Sequence, residues 1–169
     1  MILQARHRTI TFPRRPLVMG IVNLSPDSFS GDGVNDADAA LEIARTMIAA
    51  GTDIIDVGAE SARADREAIP VGEEIARLAP FLRAFPELVD GVEAAPFDAD
   101  QLWPPLLSVN TWRPATVKAA LSAGADLLND IGGLADARNA ELCAERGAAL
   151  LIMHSVGRPK QPHRYQRWN

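Results

Sequence analysis

Residues 106–131, LLSVNTWRPATVKAALSAGADLLNDI, hold two short apolar runs with a helical pattern between them. Leu106-Leu107-Ser108-Val109 reads as a buried strand, and Leu127-Leu128-Asn129-Asp130-Ile131 reads as another. Between them, Pro114 through Ala123 reads as a helix with proline in its first turn, and Gly124 ends it. A strand, a helix and a second strand within so short a span make one right-handed crossover unit of a parallel sheet.

The same alternation extends in both directions. Residues 17–22 form an apolar strand, followed by a helical pattern over residues 36–50 with Leu41, Ala44, Met47 and Ile48 on one face. Ile54 through Gly58 is the next strand, and residues 72–84 the next helix. After the opening unit come a helix over residues 136–146, closed by Gly147, and a strand over Ala149–His154. Strands read as apolar on both faces, each followed by an amphipathic helix, predict a parallel α/β architecture with helices packed outside the sheet. The count is about five strands and four helices in one domain spanning residues 1–169. Residues 86–105 contain four prolines and no clear period, and are expected to form an inserted surface loop.

Polar residues gather where these strands end. Asn23 follows the first strand, and Glu60, Ser61 and Arg63 follow the second. Asn110-Thr111, Asn129-Asp130 and His154-Ser155 close the other three. Ligands of parallel α/β proteins bind at that edge, so five polar strand ends predict a site.

Composition narrows the function classes. The 169 residues are 47% hydrophobic and 23% charged, as in a globular protein, and no apolar run reaches the roughly 20 residues of a spanning helix. A lone cysteine, Cys143, excludes a disulfide framework within the chain and suits a reducing, cytoplasmic compartment. The net charge of −5 is uneven, because residues 1–26 and 158–169 each carry four basic residues and no acid. Such ends either are solvated termini, the commoner case, or attract a phosphate-bearing ligand or an acidic partner surface.

Five ordered motifs carry a family resemblance over about residues 17–162. Met19-Gly20-Ile21-Val22-Asn23-Leu24-Ser25-Pro26-Asp27-Ser28-Phe29-Ser30 resembles the first signature of dihydropteroate synthases, MGILNVTPDSFSDGG. Asp53 through Arg63 resembles their IIDVGGESTRPG, and Leu107 through Thr111 their ISVDT. Gly124 through Ile131 resembles GADIINDI, and Met153-His154 with Gly157 and Pro159 resembles MHMQGxP. The resemblance implies a parallel (β/α) barrel of TIM type, here incomplete. It implies a transferase that joins 6-hydroxymethyl-7,8-dihydropterin diphosphate to 4-aminobenzoate and releases pyrophosphate with Mg²⁺. By the same resemblance, Asn23 is a neutral oxygen ligand near the Mg²⁺, and Arg63 is the catalytic cation at the diphosphate or the aminobenzoate. Ser61 and Ala62 flank Arg63 on the substrate side. Asn110 and Asn129 face the pterin, and Ile131 and Met153 form apolar wall or, equally, simple core. Partners are then small molecules, with neither nucleic acid nor membrane involved.

Departures from the pattern bear on activity. Asn110 stands where the family has aspartate, which exchanges a charge-assisted hydrogen bond for a neutral one at about 1–2 kcal/mol. Ala62 replaces threonine, and Ala64-Asp65 replaces Pro-Gly. The later family segments, Asp-Pro-Gly-Phe-Gly, Ser-Arg-Lys and Arg-Val-His, have no counterpart in these residues. A full barrel takes about 250 residues, so this chain alone is expected to be inactive and to associate as a homo-oligomer or with a partner subunit that completes the barrel. The alternative is a non-catalytic pterin- or phosphate-binding paralogue.

Overall fold

Burial of the alternating strand residues against four helices organises the chain, and the computed structural model describes residues 1–24, 37–61, 66–92, 101–154 and 159–161. Among these residues, β1 (Ile2–Ala5) and β2 (Arg8–Thr11) form an antiparallel hairpin. A parallel sheet follows, in the order β3 (Met19–Asn23), β4 (Ile54–Gly58), β5 (Leu106–Asn110), β6 (Leu127–Asp130) and β7 (Ala149–Ile152). The intervening helices are α1 (Ala37–Ala49), α2 (Val71–Asp90), α3 (Pro114–Ser122) and α4 (Arg138–Arg146). Spatial order equals chain order, which is the signature of successive right-handed crossovers and of an incomplete (β/α) barrel.

The helix-facing side of the sheet is the main core. Val22, Ile55, Val57, Leu107, Val109 and Leu128 pack against Ala44 and Ile48 of α1, Leu78, Phe81 and Phe85 of α2, and Val117 and Leu121 of α3. Each large side chain buried there contributes roughly 1.5–3 kcal/mol. Gly20 suits this packing, since a Cβ there would lie 2.6 Å from the Met47 sulfur of α1 and displace that flexible side chain.

The opposite face is not uniformly apolar, contrary to the reading of the strands. Its N-terminal layer (Ile54, Leu106, Leu127 and Ala149) is covered by Ala5 and Ile10 of the hairpin, which plugs that end of the sheet. One layer further along, Asp56 and Ser108 replace apolar residues and are fully buried. Hydrogen bonding between them makes this possible, because a buried polar group is tolerated when it is paired.

Two further expectations change. The irregular stretch read over residues 86–105 begins later, because α2 runs through Pro80 and Pro86 to Asp90. Its buried residues Leu78, Phe81, Leu82, Phe85, Leu88 and Val89 keep helical spacing past the second proline. Both proline rings lie on the exposed side, where water can satisfy the carbonyls left without an N–H partner. The N-terminal arginines, in turn, serve the end of the sheet opposite the polar strand ends. Arg15 grips the fully buried Asp53 through two bonds of 2.8 and 2.9 Å, and Arg6 donates to the carbonyls of Leu121 and Ala125. They hold the fold and are placed away from any ligand at the C-terminal edge.

Candidate functional site

The parallel register aligns the strand ends into a row. Asn23 pairs with Gly58, Gly58 with Asn110, and Asn110 with Asn129, and Asn129 lies opposite Leu151 of β7. The three asparagines are half-buried. Gly58 leaves room for its neighbour, since a Cβ there would stand 3.3 Å from the Asn110 Cβ. The sequence thus places three amides along the C-terminal edge of one sheet face, as expected.

Beneath them lies a residue the sequence reading passed over. The Asp56 carboxylate accepts the Ser108 hydroxyl at 2.5 Å on Oδ1, and on Oδ2 the side-chain amides of Asn129 at 3.0 Å and Asn110 at 3.4 Å. All four side chains belong to alternate positions of adjacent strands, so they share one face. The signal was present in the sequence, because Ser108 and Asn110 alternate and an aspartate interrupts the run Ile54–Gly58. By contrast, Asp130 turns to the helix side, where it accepts the Asn139 amide at 2.9 Å and the Gly132 N–H at 2.8 Å. It is a structural residue.

A second polar group surrounds the outer rim. Glu74 of α2 is fully buried and accepts the hydroxyls of Thr111 and Thr116 and the Arg113 guanidinium, each at 2.7 Å. Arg113 also pairs with Glu60 at 2.5 Å, and Lys160 reaches the other oxygen of Glu60 at 3.2 Å. Burial works against the Arg113 cation, but bonding to Glu60 and Glu74 outweighs it and holds its pKa above the ordinary value. The Ile69 N–H bonds Glu60 as well, closing the segment after β4 on itself.

The remaining expected site residues separate. Ile131 is buried just past β6, whereas Met153 is 40% exposed just past β7. Ser61 lies three residues beyond β4 and is partly exposed. Ala62 and Arg63 fall outside the described residues. Among the described residues no three His, Cys, Asp or Glu side chains converge as a metal site. A cavity of about 110 Å³ between α2 and α3, lined by Leu78, Leu82, Ala119 and Ala120 among others, lies within the helix layer and holds none of the strand-end amides.

A parallel sheet in chain order, with its N-terminal end plugged and its C-terminal edge polar, defines a domain of the (β/α)-barrel class. Residues 19–168 match the sequence profile of the family described as pterin binding enzyme. The chain belongs to that family. It is 46% identical over 148 residues to a probable bifunctional folylpolyglutamate synthase/dihydropteroate synthase of Haloferax volcanii, covering 87% of this chain and 16% of that protein. It is 39% identical over 140 residues to the dihydropteroate synthase of Streptococcus pyogenes, covering 82% of this chain and 47% of the relative. Among solved structures, Burkholderia cenocepacia dihydropteroate synthase complexed with 7,8-dihydropteroate superposes with a TM-score of 0.76 at 34% identity, covering 99% of this chain and 51% of that one. The chain therefore spans about half the length of a single-function relative.

Proposed function

We propose that the chain forms the pterin-facing part of a dihydropteroate synthase, the transferase that condenses 6-hydroxymethyl-7,8-dihydropterin diphosphate with 4-aminobenzoate and releases pyrophosphate. The observation that carries this reading is the row of Asn23, Asn110 and Asn129 at the C-terminal edge, two of them anchored on Asp56. Asn110 and Asn129 bind the heterocycle, with Ile131 and Met153 supplying apolar wall beside it. Ser61, Ala62 and Arg63 serve the diphosphate and the aminobenzoate, and Arg63 offsets charge developing on the leaving group.

The donor chemistry near Asn23 fits a Mg²⁺ that arrives with the diphosphate. One neutral amide oxygen is a poor resident site, but Mg²⁺ is commonly held by one or two protein oxygens together with substrate phosphates and water. When bound, the ion would neutralise charge on the departing pyrophosphate. Further strands alongside β3 and β7, from the same or a second polypeptide, would complete the barrel, and the setting is cytoplasmic.

Titration calorimetry with the pterin diphosphate tests the reading, and binding that weakens in Asn129→Ala is the expected result. No binding would sink it. A pyrophosphate-release assay on the 169-residue chain should show no turnover, because the family's later segments, which have no counterpart in these residues, would each supply several kcal/mol of positioning or charge stabilisation.

A further inference from the structure

We propose that Asp56 decides which hydrogen-bond polarity this site recognises, an inference that rests on the proposed pterin site and deepens it. An ionised carboxylate only accepts hydrogen bonds, whereas a side-chain amide offers a donor end and an acceptor end. Asp56 is fully buried, and Asn110 and Asn129 both turn their NH₂ groups onto its Oδ2. Flipping either amide would set oxygen against oxygen, so neither is free to rotate. Ser108 occupies Oδ1 of the same carboxylate and fixes its plane.

The consequence falls on the other end of each amide. With one N–H of each NH₂ group directed onto Asp56 below, both amides are oriented so that their Oδ1 atoms stand as acceptors on neighbouring strands, roughly 5 Å apart by sheet geometry. The site therefore favours a planar ligand edge that presents N–H donors to these two oxygens over one that presents carbonyl or ring-nitrogen acceptors, which would meet only the second N–H of each amide. This matters most at residue 110. An asparagine there has no polarity of its own, and Asp56 makes it act as an acceptor. Among the described residues Asp56 has no ion-pair partner and is met by neutral donors alone, an environment that further favours an electron-poor, donor-bearing ligand edge.

Two measurements on the 169-residue chain separate this inference from the functional reading beneath it. The first needs no ligand. In nitrogen-labelled protein, the side-chain amide protons of Asn110 and Asn129 should exchange slowly, and in Asp56→Asn they should exchange at least about tenfold faster. The Asn139 amide, held by Asp130 and the Trp112 carbonyl, should not change and serves as the internal control. Fast exchange at both asparagines in the parent protein would overturn the inference without any variant having to fold. The second measurement compares 6-hydroxymethylpterin with its lumazine counterpart, in which an oxo group replaces the 2-amino donor. The parent should prefer the pterin by about tenfold, the size of one hydrogen bond, and Asp56→Asn should bring the two affinities within about threefold. Unchanged preference in Asp56→Asn overturns the role of Asp56 and leaves pterin binding intact. A parent that binds neither compound overturns the functional reading, and with it this recognition rule, even if the amides are protected.

Discussion

Lys160, in the segment after β7, meets Glu60, two residues beyond the end of β4, at 3.2 Å. Two strands of the sheet lie between β4 and β7, so this ion pair ties together segments from distant strand ends. Arg113 holds the same carboxylate and passes the connection to Glu74 at the start of α2. The rim of the candidate site is thus a single network of two cations and two carboxylates.

The network should behave unequally under mutation. Arg113→Ala leaves Glu74 and Glu60 buried without their shared cation, and should cost about 3 kcal/mol in urea unfolding. Lys160→Met removes one contact of Glu60 and should cost about 1 kcal/mol, with faster backbone hydrogen exchange at Ile69 and nearby. Equal costs for the two variants would show that Arg113 is not the centre of the group.

Asp53 is the counterpart at the N-terminal end of the sheet. Besides Arg15, its carboxylate accepts the backbone N–H groups of Val18 and Leu102, each at 2.8 Å. It therefore joins the residue before β3 to the segment before β5. Asp53→Ala should lower stability by about 3 kcal/mol, while leaving pterin affinity, measured well below the melting temperature, within about twofold. A large loss of affinity would contradict the separation of the two ends.

Cys143 supplies a pH dependence. It is buried in the core, and desolvation, helped by the charge of Asp130, pushes its pKa up to about 11. A thiol whose folded pKa is raised keeps its proton in the native state after the unfolded chain has lost it. Its contribution is therefore fully present below pH 9 and is lost as pH rises from about 9 towards 11, by at most about 3 kcal/mol. Cys143→Ala should flatten stability over that window, and a thiol reagent at pH 8 should leave the folded protein unlabelled.

The sheet margins predict association. β3 and β7 are the two edge strands, and Ile21, Leu151 and Ile152 on them are 54%, 41% and 50% exposed. Edge strands with exposed apolar side chains invite pairing with another strand. Light scattering at micromolar concentration should report a species larger than 18 kDa, and Ile21→Lys with Ile152→Lys should shift it towards the monomer. A parent protein that stays monomeric would refute this.

Much of this molecule was legible in the chain itself. Apolar runs at strand length, helical periods between them and glycines at Gly124 and Gly147 determined the order and type of the five parallel strands and four helices, because local burial patterns and turn conformations are local properties, whereas the β1–β2 hairpin was not read. Polar residues at successive strand ends likewise placed Asn23, Asn110 and Asn129 on one edge. Other features depended on which elements meet in space. The prolines of α2 argued for a loop, yet its apolar stripe finds the sheet and the rings find water, so packing overrode local preference. Four arginines near the N-terminus read as a solvated end or an anion attractor, yet Arg15 and Arg6 have partners 38 and more than 110 residues away at the opposite end of the sheet. Asp56 read as one strand residue among several. Only the parallel register of β4, β5 and β6 brings Ser108, Asn110 and Asn129 onto its carboxylate, because hydrogen bonds between residues 52 to 73 positions apart are set by topology.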